Sequence, residues 1–298
     1  NSGCTKVGVC GKRPVTAGLM DELVARLEDL ASEKKPTREL GRFVTQSLFL
    51  TLTNANFDDN RLRAAIAEAE RRLGRVAANR KPRAFGDADV NVRSLKELTL
   101  YGLKGISAYC HHAAVLGKED EAITDFIFHA LKTIAGKASV EQLTRLVLEC
   151  GRTAVTAMAL LDAANVSAYG SPSIAHVKLG VGTRPGILVS GHDLRDLKEL
   201  LEQTKDTVVD VYTHGEMLPA HYYPELRKYP HLRGNYGDAW HRQQKDFASF
   251  NGAILMTTNC IVPVMDVYRD RIFTTGVVGY PGVPHIADRV DGKPKDFS

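Results

Sequence analysis

Three short β-branched runs in the last third of the chain do most to restrict its fold: Ile187-Leu188-Val189, Val208 to Tyr212, and Ile254-Leu255-Met256. Apolar runs of this length suit strands buried on both faces, as in the parallel sheet of an α/β domain. Leu194 to Leu201 has helical spacing and separates the first two runs, so the strands read as a βαβ unit and run parallel. Each run leads directly into a polar segment: Ser190-Gly191-His192-Asp193, Thr213-His214-Gly215-Glu216-Met217, and Thr258-Asn259-Cys260. An imidazole, a carboxylate and a thiol thereby fall one each at the carboxyl ends of three strands, where open α/β sheets place their ligands. Nitrogen, oxygen and sulfur donors converging there suit a transition metal, and thiolate participation favours zinc, Cu(I) or iron–sulfur over magnesium or calcium. Any one such His or Glu could equally cap a helix or face solvent. Three segments with compatible chemistry are what single this site out.

The first 165 or so residues read as helices. Leu19, Leu23, Leu27 and Leu30 recur at helical spacing until Lys35-Pro36 stops them. Thr37 is placed to cap a second helix carrying Leu40, Phe43, Val44 and Leu48. Leu62, Ile66, Leu73 and Val76 mark a third, and a polar connector runs from Lys81 to Val92. Leu95 to Leu116 and Ala122 to Ile134 follow. Ser139 then caps a stretch from Val140 to Ala164 whose apolar positions include Leu143, Leu146, Val155, Met158 and Leu161. Glycine and proline concentrate between Ala168 and Gly186, the best candidate boundary. The expected architecture is therefore α plus α/β: a helical domain over residues 1–183 and a Rossmann-like parallel-sheet domain over 184–298. Gly180-Val181-Gly182-Thr183-Arg184-Pro185-Gly186 superficially suggests a dinucleotide loop, but it precedes its strand instead of following one.

The chain has a net charge of +4 with no basic block, which argues against nucleic-acid binding. Nothing approaches the roughly 20 apolar residues of a membrane-spanning helix. It begins Asn1-Ser2-Gly3-Cys4, with neither a starting Met nor an apolar signal core, and so reads as a fragment lacking its true start. Five cysteines, an odd count without a secretory signal, fit reduced thiols in a cytoplasm better than a disulfide framework. Cys110 and Cys150 lie on apolar helical stretches and read as small buried hydrophobes. His111 and His112 are adjacent and point to different sides of a helix, poor geometry for one metal. His221, His231 and His241 read as surface residues of a polar, aromatic-rich segment.

The three polar segments and their neighbours closely resemble the hybrid cluster protein family, also called prismane protein or hydroxylamine reductase. The resemblance covers almost the whole chain. It includes Cys4-Thr5-Lys6-Val7-Gly8-Val9-Cys10-Gly11-Lys12, Leu52-Thr53-Asn54-Ala55-Asn56 and Tyr101-Gly102-Leu103-Lys104-Gly105. It continues through the runs Ile187 to Leu194, Val211 to Ala220 and Thr274 to Gly279. These strings are far more specific than a lone glycine motif.

The resemblance implies a helical domain followed by two Rossmann-like domains, and two metal centres. One is a hybrid 4Fe–2O–2S cluster held by seven residues, of which His192, Glu216 and Cys260 match the first three; the other four lie beyond residue 298 in the family pattern. The second is a cluster on four cysteines, of which Cys4 and Cys10 match the third and fourth, their Cys-x-x-Cys partners lying upstream. The spacing of Cys4 and Cys10 resembles that of members with a 4Fe–4S rather than a 2Fe–2S cluster. The implied reaction, in nitrogen metabolism, is reduction of hydroxylamine to ammonia and water, with nitric oxide as a related substrate and a redox partner protein as electron donor. His192 and Glu216 are the implied catalytic residues. His214 and Asp193 flank these ligands as supporting partners, proton donors or caps, and Thr53, Asn54 and Asn259 are candidate pocket residues. Two other readings stay open: a mononuclear zinc hydrolase on His192, Glu216 and Cys260, and a non-catalytic electron-transfer or scaffold fragment.

Overall fold

Helical periodicity in the first half is realised as six helices in a computed structural model of the protein, which describes residues 4–298. They are α1 (Pro14–Glu33), α2 (Arg38–Leu50), α3 (Asp59–Leu73), α4 (Val90–Val115), α5 (Glu121–Ala135) and α6 (Val140–Tyr169). Their ends follow local chemistry. Pro14 opens α1, where its missing N–H costs nothing. The Thr37 hydroxyl accepts the Leu40 N–H to cap α2. Ser139 and Gln142 bond reciprocally at the start of α6, the Ser139 N–H going to Gln142 Oε1 at 2.8 Å. Gly74, at φ 79°, closes α3 in the left-handed conformation that favours glycine. Val76 therefore lies outside α3 and is exposed, contrary to its expected place on the apolar face.

Two compact units emerge: residues 4–52 with Asp58–Ala164, and Thr53–Phe57 with Asn165–Ser298. The compositional boundary at 183/184 falls in the extended segment leading into the first strand. Within the first unit α1 packs on α3 and α5, and α2 on α4, around Leu27, Leu30, Leu48, Leu100, Leu103 and Leu131. Cys150 belongs to this core, and a Cβ on Gly102 would stand 2.5 Å from its sulfur, so α4 and α6 approach closely there. Val155 and Met158, expected on the apolar face of α6, are exposed.

The second unit contains β1 (Gly186–Ser190), α7 (Leu194–Thr204), β2 (Asp210–His214), α8 (Pro224–Arg227), β3 (Leu232–Asn235), α9 (Gln243–Ser249), β4 (Ala253–Met256), β5 (Ile272–Thr275) and β6 (His285–Ile286). The sheet order is β3-β2-β1-β4-β5-β6 and every pairing is parallel. From β1 the chain builds outward through β2 and β3, then returns to add β4, β5 and β6 on the other side. The strand order thus reverses between β1 and β4, which opens a crevice at their carboxyl ends. The core beneath includes Leu188, Tyr212, Phe247, Ile254, Met256 and Tyr268. Asp196 on α7 is fully buried and pairs with Arg289 at 2.6 Å and Lys295 at 3.0 Å, anchoring the helix that starts just after His192. Among the described residues no helix is long and apolar enough to cross a membrane.

Candidate metal centre at the strand-order reversal

His192 follows β1, Glu216 follows β2 and Cys260 follows β4, so the three donors surround the crevice where the strand order reverses. One ligand atom from each lies within 4.8 Å of the others. His192 Nε2 contacts Glu216 Oε2 directly. The structure therefore gathers the three residues that the sequence placed at three strand ends.

Each donor sits at or beside a left-handed backbone. Gly191 has φ 104°, Gly215 has φ 57°, and Cys260 itself has φ 72°. Only glycine takes these conformations without strain, and a residue such as Cys260 adopts one where its surroundings impose it. Gly191 and Gly215 turn the chain directly after β1 and β2, just before His192 and Glu216, and Cys260 turns it four residues after β4. At Gly191 the turn also needs the missing side chain: a Cβ would stand 2.5 Å from Thr257 Oγ1 and 2.7 Å from the Thr258 nitrogen.

Thr258 orients the imidazole. Its Oγ1 accepts the His192 backbone N–H at 2.7 Å and lies 3.0 Å from His192 Nδ1. Nδ1–H donating to this oxygen leaves the Nε2 lone pair facing Glu216 and Cys260, the tautomer a metal requires. The Glu216 side chain is 60% exposed and the His192 side chain 29%, so the carboxylate lies on the open side of the cluster. Burial and the nearby Glu216 carboxylate push the Cys260 thiol up to about 11. A free thiolate is disfavoured in that position, whereas a bound cation would supply the missing charge.

The flanking residues have structural partners. Asp193 caps α7 by accepting the Arg195 and Asp196 N–H groups, both at 2.9 Å. His214 is fully buried, with Nδ1 3.0 Å from Ser190 Oγ and Nε2 3.2 Å from Asp246 Oδ2, so both ring nitrogens are engaged. Asn54 donates through Nδ2 to the Ile261 carbonyl at 2.9 Å, next to Cys260. Thr53 is exposed and Asn259 half-buried. His221 and His231 depart from the surface reading. Both are buried, with Nε2 of each 3.0 Å from a threonine hydroxyl, Thr213 and Thr204 respectively. His241 is exposed.

In the first unit, Cys4 and Cys10 face one another across Gly8. A Cβ on Gly8 would lie 2.9 Å from Cys4 Sγ and 3.4 Å from Cys10 Sγ. The Gly8 N–H donates to the Lys12 carbonyl at 2.8 Å and the Gly11 N–H to the Gly8 carbonyl at 2.9 Å, closing a compact loop around the two sulfurs. Lys12 is buried beside them, and burial lowers its ammonium to about 8 against the opposing pull of the two thiols. His111 and His112 pack edge-on against Phe49 and each other. Thr258 is the functional contact that sequence reading missed: it stood in a named segment, but nothing in the sequence joins it to a residue 66 positions earlier.

The family model described as Prismane/CO dehydrogenase family matches residues 1–298. A protein named hydroxylamine reductase from Chlorobaculum tepidum is 50% identical to this chain, over 99% of the chain and 60% of its own length. Proteins of the same name from Desulfovibrio desulfuricans and Halothermothrix orenii are 48% and 46% identical, each alignment covering 100% of this chain and 61% of the relative. The chain thus spans about three fifths of the length of the curated relatives it matches. With the family match over every residue and relatives this similar, the chain belongs to the Prismane/CO dehydrogenase family.

Proposed function

We propose that this chain is part of an iron–sulfur oxidoreductase that reduces hydroxylamine to ammonia and water. The observation that carries the reading is the convergence of one nitrogen, one oxygen and one sulfur donor within 4.8 Å at the β1/β4 crevice. The donor set fits iron: thiolate and imidazole both bind it well, and a carboxylate is a harder, more labile ligand. In this reading His192, Glu216 and Cys260 hold one side of a hybrid 4Fe–2O–2S cluster in the domain spanning residues 184–298. Cys4 and Cys10 hold part of a 4Fe–4S cluster in the helical domain spanning 1–183, which passes on electrons from a redox partner protein. The loop around Gly8 supports that second assignment by turning both sulfurs to one side.

Hydroxylamine takes up two electrons and two protons as its N–O bond breaks, giving ammonia and water. When bound, the hybrid cluster supplies those electrons and an iron position for the substrate. The chain's own residues do the rest. Thr258 fixes the imidazole so that Nε2 faces the site. Glu216, on the solvent side, is the group placed to carry a proton between water and substrate. His214 serves instead as a buried brace between Ser190 and Asp246. Nitric oxide, another small N–O compound, is a second substrate in this reading.

The test is anaerobic purification of the protein from its full reading frame, followed by iron and sulfide analysis, visible absorption and hydroxylamine-dependent oxidation of a reduced dye. Brown protein with iron, sulfide and turnover supports the reading. Colourless protein carrying zinc overturns it in favour of a hydrolytic site on the same three residues.

A further inference from the structure

Cys260 holds a left-handed backbone without being glycine, and two side-chain amides fasten the turn it makes. Gln243, at the start of α9, is 1% exposed. Its Nε2–H donates to the Cys260 carbonyl at 2.8 Å, and its Oε1 accepts the Val262 N–H at 3.0 Å. Asn54 donates through Nδ2 to the Ile261 carbonyl at 2.9 Å, and its main-chain carbonyl accepts the Ile261 N–H at 3.1 Å. Backbone groups of three successive residues are thus satisfied by partners distant in sequence, where a turn of this kind would otherwise leave them unpaired.

We propose that Gln243 is the positioning residue of Cys260: its amide grips the main chain on both sides of Ile261 and so aims the thiol at His192 and Glu216. The assignment rests on reading Cys260 as a metal ligand, and it adds a residue outside the three strand-end segments. The chemistry is specific to a primary amide. One end must donate to a carbonyl and the other must accept an N–H, with a side chain long enough to reach from α9. Glutamate keeps the acceptor and loses the donor; methionine keeps the volume and loses both. Buried amides left half-paired are costly, so the wild-type turn is strongly specified. Asn54 holds the middle of the turn but touches neither the Cys260 carbonyl nor the Val262 N–H, which makes Gln243 the residue that spans Ile261 and holds the Cys260 carbonyl.

Two readouts on the metal-free protein test this. The first is the alkylation rate of Cys260 with iodoacetamide, followed peptide by peptide by mass spectrometry. The second is titration with cobalt(II), whose thiolate charge-transfer band reports a cobalt–sulfur bond and is assigned to Cys260 through Cys260→Ser. In Gln243→Met, Cys260 should alkylate faster under conditions where Trp240 fluorescence shows the second unit still folded, its unfolding midpoint lowered by the two lost hydrogen bonds. Cobalt affinity should drop about 10- to 100-fold, the scale of lost supporting contacts around a metal, with a weaker band per bound cobalt. Gln243→Glu, isosteric but setting a carboxylate oxygen against the Cys260 carbonyl, should also alkylate faster than wild type. Unchanged alkylation and an unchanged band in both variants overturn the proposal. A wild-type protein with no Cys260-dependent band overturns the ligand reading instead, and the alkylation rates then still decide whether Gln243 positions the cysteine.

Discussion

Gly191→Ala should be among the most damaging single-methyl changes in the second unit. Three effects add. The backbone at φ 104° disfavours any side chain, at about 1–2 kcal/mol. The new methyl would stand 2.5 Å from Thr257 Oγ1, 2.7 Å from the Thr258 nitrogen and 2.8 Å from Thr258 Oγ1. None of these atoms is the free end of a flexible chain. Thr257 Oγ1 is bonded to the Ser190 carbonyl at 3.0 Å, and Thr258 Oγ1 accepts the His192 N–H. Overpacking in so fixed a place costs roughly 1–3 kcal/mol. Displacing Thr258 loses a further ~1 kcal/mol of hydrogen bonding to His192. The expected loss is therefore about 3–6 kcal/mol. Trp240, the chain's one tryptophan, lies in the second unit and reports its unfolding in urea. At a slope of about 2 kcal/mol per molar urea, a loss of about 3 kcal/mol lowers the midpoint by about 1.5 M. Gly180→Ala is the control, since nothing lies within 4 Å of its added Cβ. Equal midpoints for the two variants would refute the argument that Gly191 is required by its conformation and its neighbours.

Thr258→Val should lower metal affinity about 10- to 100-fold by freeing the His192 ring, while Thr258→Ser, which keeps the hydroxyl, should stay close to wild type; metal titration of the purified variants measures both. Burial holds the His221 and His231 imidazoles below the usual 6.5. Below that pH the unfolded chain binds more protons than the folded one, so stability should fall as pH drops from 7 towards 5. Urea unfolding followed by Trp240 across that range should show the fall. Replacing both histidines by Gln should make it shallower, and an unchanged slope would show that these residues protonate as readily in the fold as in the unfolded chain.

The parallel sheet was legible because β1 and β4 leave continuous apolar runs and β2, buried at all five positions, carries Val211-Tyr212. β3 was not: its four residues include exposed Arg233 and also Gly234, where a Cβ would stand 2.2 Å from the Lys178 carbonyl. A strand chosen for close backbone approach carries little hydrophobic signal. β5 and β6 are likewise short, and the order of strands depends on crossovers that local periodicity does not encode. Helix ends were readable where a cap lies beside the residues it serves, as at Thr37 and Ser139. The apolar face of α6 was overread, since helical spacing cannot tell a core-facing Leu146 from an exposed Val155. At the candidate site the three donors were legible from their strand-end positions, and the contacts that aim them were not. Thr258 and Gln243 act across the fold on main-chain atoms, and His221 and His231 are buried with a threonine hydroxyl against Nε2 of each.

The central claim is that Glu216 is an iron ligand whose charge the reaction needs. Its most direct test is hydroxylamine-dependent oxidation of a reduced dye by Glu216→Gln, prepared anaerobically from the full reading frame with its iron quantified. The substitution keeps the side chain's shape and removes its negative charge. Turnover should fall about 10-fold or more, the range seen when groups tuning a metal are altered, while the spectrum of the cluster at Cys4 and Cys10 persists. Full iron content with full activity in Glu216→Gln would contradict the claim and remove Glu216 from the ligand set.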